Sequence, residues 1–200
     1  YKVFLIISSN FQPDDLYKNG LQRNDFLPFI ELIKKNFSII NINIKTDYRR
    51  QTLNQSKTYF TPINRETSDE FSKLFNRFVD DTHLTTIKIK SRSREIIFDK
   101  CSSNILLTEF QKLCEENFSH HDYINIAKNF NLIFLKNVPE LNEQKKDSCR
   151  RFISLVDMLY ENRCSIVILA SKPISSLNTI VSFNEEFKRT ASRLYEMTIV

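Results

Sequence analysis

Apolar positions along the chain fall into a few recurring patterns. Val3, Phe4, Leu5, Ile6 and Ile7 form an unbroken apolar run, which predicts a strand over 2–8 buried on both faces. A polar loop over 9–24 follows. Phe26, Phe29, Ile30 and Ile33 then recur at i, i+3, i+4 and i+7, one face of a helix over 24–35. Pro28 fits that helix only near its start, where a missing N–H costs nothing. Residues 39–44 alternate Ile with Asn and predict a strand with one wet face.

The stretch 45–66 is polar and loop-like. Thr67 and Glu70 read as a capping box ahead of the stripe Phe71, Leu74, Phe75 and Phe78. Residues 86–99 read as a β-hairpin turned around 91–93. Two short helices are expected next. One is capped at Thr108 and carries Phe110, Leu113 and Cys114; the other is capped near Ser119 and carries Tyr123, Ile126, Ala127 and Phe130. A β-α-β pattern closes the sequence: apolar strands at 132–135 and 165–170 flank a helix over 144–162, and parallel pairing is the expected result.

Composition narrows the functional classes. Hydrophobic residues make up 41% and charged residues 26%, as in ordinary globular chains. No apolar run approaches the ~18 residues of a membrane span. The four cysteines are scattered without a Cys-x-x-Cys pair and predict buried free thiols. The sequence opens on Tyr1 directly before a strand pattern, so it reads as cut from something longer. There is a single glycine, Gly20, and a phosphate-cradling loop needs several. Neither the P-loop motif nor the dinucleotide fingerprint fits anywhere in these 200 residues.

Three longer strings carry a resemblance. The first is Ser9-Asn10-Phe11-Gln12-Pro13-Asp14-Asp15-Leu16-Tyr17-Lys18-Asn19-Gly20-Leu21-Gln22-Arg23, followed by Phe26-Leu27-Pro28-Phe29-Ile30 and Asp47-Tyr48-Arg49. The second is Asp122-Tyr123, then Phe134, Val138-Pro139 and Arg150-Arg151-Phe152-Ile153, with Asp157 and Leu159-Tyr160. The third is Arg189-Thr190-Ala191-Ser192-Arg193-Leu194-Tyr195-Glu196-Met197. In this order they resemble the ZapE/AFG-like ATPase family, and they run almost end to end. Ser8 stands where the family usually has Thr, and 178–184 lacks the glycine that it tends to carry. The resemblance implies an α/β fold: the later part of a AAA+ P-loop-type module over 1–66, then a C-terminal α/β region over 67–200 with the hairpin, the β-α-β unit and a terminal helix. ATP and Mg²⁺ would be held mainly by sequence preceding this chain.

Candidate site residues follow from the same resemblance. It implies that Asn10, at the end of the first strand, senses the γ-phosphate or the attacking water; an Asn there also serves as an ordinary loop cap. It implies that Arg23 is an arginine finger acting in trans on a neighbouring subunit's nucleotide, against the alternative of a solvated Arg at a helix start. Arg189 and Arg193, spaced i, i+4, resemble lid arginines that touch nucleotide; pairing with Glu185, Glu186 or Glu196 is the competing role. One of Arg150 and Arg151 is expected in a structural ion pair. His120 and His121 point about 100° apart on a helix and make no metal set.

The implied function is ATP-driven remodelling of a protein client, division machinery or membrane-associated proteins, by a ring-like homo-oligomer. Its place would be the bacterial cytoplasm, peripheral at the inner membrane, or the mitochondrial matrix. This chain alone is expected to be inactive. Two alternatives stand beside it. One is a non-hydrolytic adaptor. The other is a nucleic-acid module using Lys88, Lys90, Arg92 and Arg94, which lack interleaved aromatics.

Overall fold

The computed structural model describes residues 7, 9, 12–16, 23–39, 53, 56–79, 84–91 and 94–198. The strands expected at 2–8 and 39–44, apart from Ile7 and Ile39, fall outside these residues, as do Asn10, Gly20 and Arg92. Chain contacts divide the protein into two compact units, Tyr1–Asp47 and Tyr48–Val200. The 66/67 boundary read from the sequence lies within the second unit.

In the first unit a 3-10 turn, Pro13–Asp15, precedes helix α1, Arg23–Asn36. Asp25 opens α1, and Lys34 and Lys35 close it, as the helix dipole favours. Pro28 stands inside α1, a little over one turn past its start, because the helix begins at Arg23.

Among the described residues, the second unit holds a six-stranded mixed sheet. Its strands are β1 (Tyr59–Phe60), β2 (Thr85–Ser91), β3 (Arg94–Ser102), β4 (Ile105–Glu109), β5 (Leu132–Val138) and β6 (Ser165–Ala170). Their spatial order is β1-β6-β5-β4-β3-β2. The pairs β1·β6, β6·β5 and β5·β4 are parallel; β4·β3 and β3·β2 are antiparallel. This mostly parallel α/β arrangement is consistent with a P-loop NTPase-like fold.

Helices cover both faces, which explains the unbroken apolar runs of the central strands. Helix α2 (Arg65–Phe78) lays Phe71, Leu74 and Phe75 on one face, against Phe60, Phe134, Val167 and Leu169. Phe134 meets Phe71 and Phe75 edge-on at 5.5 and 5.1 Å. The opposite face carries a π-helical turn (Gln111–Glu115), α3 (His120–Asn129), α4 (Lys146–Glu161) and α5 (Asn184–Met197). Phe110, Tyr123, Ile126, Phe152 and Val156 bury against Leu106, Ile133, Leu135, Ile166 and Ile168 there.

Two local expectations are corrected. Thr67 is not the cap of α2: Asn64 caps it and Thr67 is the third helical residue of the box. Thr108 does not cap a helix either; it lies within β4, and the helical segment after it begins at Phe110. The hairpin, the second short helix and the β-α-β unit form where the pattern placed them.

Candidate functional site

Arg23 is the first residue of α1. Its Nη2 donates to the Asp14 backbone carbonyl at 2.9 Å. The Asp14 carboxylate is taken by Lys34 Nζ at 2.7 and 2.9 Å. Arg23 Nε has no hydrogen-bond partner, and no ion pair of Arg23 occurs among the described residues. Among the described residues the guanidinium is thus positioned by a carbonyl and not by a carboxylate.

Arg189 and Arg193 are brought together by Asp157 on α4. Arg189 Nη2 donates to Asp157 Oδ2 at 2.9 Å, and Arg193 Nη1 donates to Asp157 Oδ1. Arg193 also lies 4.9 Å over the Tyr160 ring and 3.9 Å from the Glu161 carboxylate. The Tyr160 hydroxyl donates to Glu196 Oε2 at 2.6 Å, which raises the phenol's pKa. These contacts fasten α5 to α4. Asp157 lies 32 and 36 positions from its two arginines, so no local spacing announces the pairing.

Arg151 donates to the Cys114 carbonyl and to Asn117 Oδ1, both at 3.1 Å, while Arg150 lies 5.4 Å over the Phe183 ring. The expected ion pair of this couple is thus replaced by carbonyl, amide and ring contacts among the described residues. His120 reaches Ser154 and His121 reaches Asn125. No group of three or more His, Cys, Asp or Glu side chains placed to hold a metal occurs among the described residues.

The sequence did not reveal the hub at Asp122. This carboxylate is 4% exposed. It accepts from the Ser91 hydroxyl, from Arg94 at 2.6 Å, and from the Ser119 N–H and hydroxyl at 2.7 and 2.8 Å. Burial pushes its pKa up, but these four donors outweigh it and hold the group at about 2. Arg94 also stacks 5.0 Å over Phe118, so its charge is committed to this hub. Lys88 and Lys90 stay exposed, Lys88 lying 3.9 Å from Glu95. Ile89 on the other face is buried, as the alternation predicted.

The start of α2 follows β1 directly, a place where strand-turn-helix units grip phosphate. Here Thr67 N–H donates to Asn64 Oδ1 at 2.9 Å and Asn64 N–H donates to Thr67 Oγ1 at 3.1 Å. The helix is closed on its own cap, so this end does not fit a phosphate cradle.

The family model for AFG1-like ATPase matches residues 1–200. The chain belongs to the AFG1-like ATPase family. Among relatives of this family, cell division protein ZapE of Escherichia coli (strain K12) is 33% identical over 195 residues, covering 98% of this chain and 52% of the relative. An uncharacterized protein of Schizosaccharomyces pombe is 33% identical over 184 residues, 88% of this chain and 39% of its own length. Lactation elevated protein 1 homolog B of Danio rerio is 31% identical over 180 residues, 88% of this chain and 35% of the relative. The chain therefore spans about half the length of the bacterial relative and less of the other two. No solved structure matches it.

Proposed function

We propose that this AFG1-like ATPase chain is the later part of a ring-forming machine that uses ATP to remodel a protein client. The match over all 200 residues carries the reading. ATP supplies the transferable phosphoryl group, and Mg²⁺ and the phosphates are held mainly by sequence outside this chain. The single glycine here and the self-closed start of α2 support this reading. Arg23 places its charged fork in the neighbouring subunit's site, and Asn10 senses the γ-phosphate from its own. Arg189 and Arg193 keep α5 in register with α4 through Asp157, and nucleotide contact by them requires that seam to open. The clients are division machinery or membrane-associated proteins, in line with the printed name of the bacterial relative. Among the described residues no helix is long and apolar enough to cross a membrane. The machine would work in the bacterial cytoplasm, peripheral at the inner membrane, or in the mitochondrial matrix.

Arg23→Ala in the full-length protein tests the reading. Loss of a finger arginine lowers turnover by about 10³-fold or more while leaving ATP binding nearly unchanged. A trans role adds a second signature: Arg23→Ala subunits regain turnover when mixed with subunits that keep Arg23 but cannot bind ATP. Turnover unchanged by the substitution defeats the assignment.

A further inference from the structure

Several contacts of the first unit converge on Asp14. Pro13 fixes its own φ and opens the 3-10 turn Pro13–Asp15. Two backbone bonds close that turn: Asp15 N–H donates to the Gln12 carbonyl at 2.9 Å, and Leu16 N–H donates to the Pro13 carbonyl at 3.2 Å. The Asp14 carbonyl accepts from Arg23 Nη2 at 2.9 Å. The Asp14 carboxylate accepts from Lys34 Nζ with both oxygens, at 2.7 and 2.9 Å. One residue of the turn is thus held by two cations, one on its backbone and one on its side chain.

Helical spacing explains the arrangement. Arg23 opens α1 and Lys34 stands in its last turn. They are separated by about three turns, or about 16 Å along the axis, so they share a face of the helix. Ile30 lies between them on that face and is buried. The Pro13–Asp15 turn packs against α1, and a long side chain reaches it from either end of the helix.

A dependency follows from these contacts. Arg23 donates to a main-chain carbonyl, so the direction of its guanidinium is set by where the turn sits. Among the described residues, the Lys34–Asp14 ion pair ties the turn to α1. Lys34 does not touch Arg23; its influence passes through Asp14.

We propose that Lys34 is a positioning residue for Arg23. By gripping the Asp14 carboxylate it holds the turn at the height on α1 that aims the Arg23 fork. This role rests on the reading of Arg23 as an arginine finger, so Arg23→Ala is measured beside the variants below.

The side chains of Lys34 and Asp14 are 47% and 67% exposed, and an exposed pair adds little to folding. Lys34→Met in the full-length protein is therefore expected to leave the urea midpoint and the KM for ATP nearly unchanged. Misaiming of the finger is expected to lower kcat about three- to tenfold. Lys34→Arg, which returns a charged donor to the carboxylate, should recover most of that loss. Asp14→Ala removes the carboxylate but keeps the carbonyl. It should cost a similar factor, and the double variant no more than either single change. Because the finger acts in trans, Lys34→Met subunits should regain turnover when mixed with subunits that keep Lys34 but cannot bind ATP. A kcat unchanged by Lys34→Met overturns the proposal. So do losses that multiply in the double variant, a loss that follows the urea midpoint, or one that mixing does not restore. If Arg23→Ala lowers turnover and Lys34→Met does not, the positioning role falls alone; if Arg23→Ala has no effect, the finger reading falls with it.

Discussion

Asp122 shows how one side chain joins three elements. It caps α3 by accepting from Ser119, and it holds the β2–β3 hairpin through Ser91 and Arg94. Asp122→Asn keeps the shape but removes the charge and turns one acceptor into a donor. A loss of about 1–3 kcal/mol in chemical denaturation is expected, with the hairpin exchanging amide hydrogens first. The pH dependence has a definite sign. A carboxylate held at about 2 in the folded state, below its ordinary value of 3.8, stabilises the protein fully above about pH 4. That contribution disappears as the pH falls from about 4 to about 2, and the variant should lack this limb of the acid titration. Among the described residues Arg23 is held by one carbonyl, at the folded turn Pro13–Asp15. The sequence singles out Arg23 only through its resemblance.

At the scale of elements, the seam between α4 and α5 depends on a carboxylate that no local pattern reveals. Asp157→Asn should leave two guanidiniums facing a neutral amide. A modest destabilisation of about 1–2 kcal/mol is expected by thermal or urea unfolding, small because Arg189 is more than half exposed. Loosening of α5 should exceed that of β6 in hydrogen exchange. Elements with strong periodicity were legible in the sequence. The α4 stripe of Cys149, Phe152, Val156 and Leu159 is fully buried, and the two runs flanking it are parallel strands. β4 was not legible. Ile105, Leu106 and Leu107 make a run too short to separate strand from helix, and the apolar Phe110, Leu113 and Cys114 directly after it have the spacing of a helix capped at Thr108. The sequence pattern puts the capping box at α2 three residues late, because Asn64 and Thr67 form it without the usual Glu.

For the whole molecule, the purified 200-residue chain should show no ATP turnover above a buffer blank in a phosphate-release assay. Measurable turnover by it would contradict the missing-cradle reasoning. The family was legible because three long strings span both units, whereas the division at Asp47/Tyr48 was not. Polar composition over 45–66 hides Tyr59 and Phe60, which the fold ties to β6 more than 100 positions away. The four cysteines give the molecule a further property. Cys101 lies in β3, Cys114 in the π-turn, Cys149 in α4 and Cys164 just before β6, all buried. Burial pushes Cys101 up to about 11 and Cys149 and Cys164 up to about 12, and drives Cys114 well above its ordinary value. A thiol reagent should therefore modify the native protein only as fast as each layer opens. Read one site at a time by peptide mass mapping, the four labelling rates become a built-in clock for local unfolding, with no introduced probe.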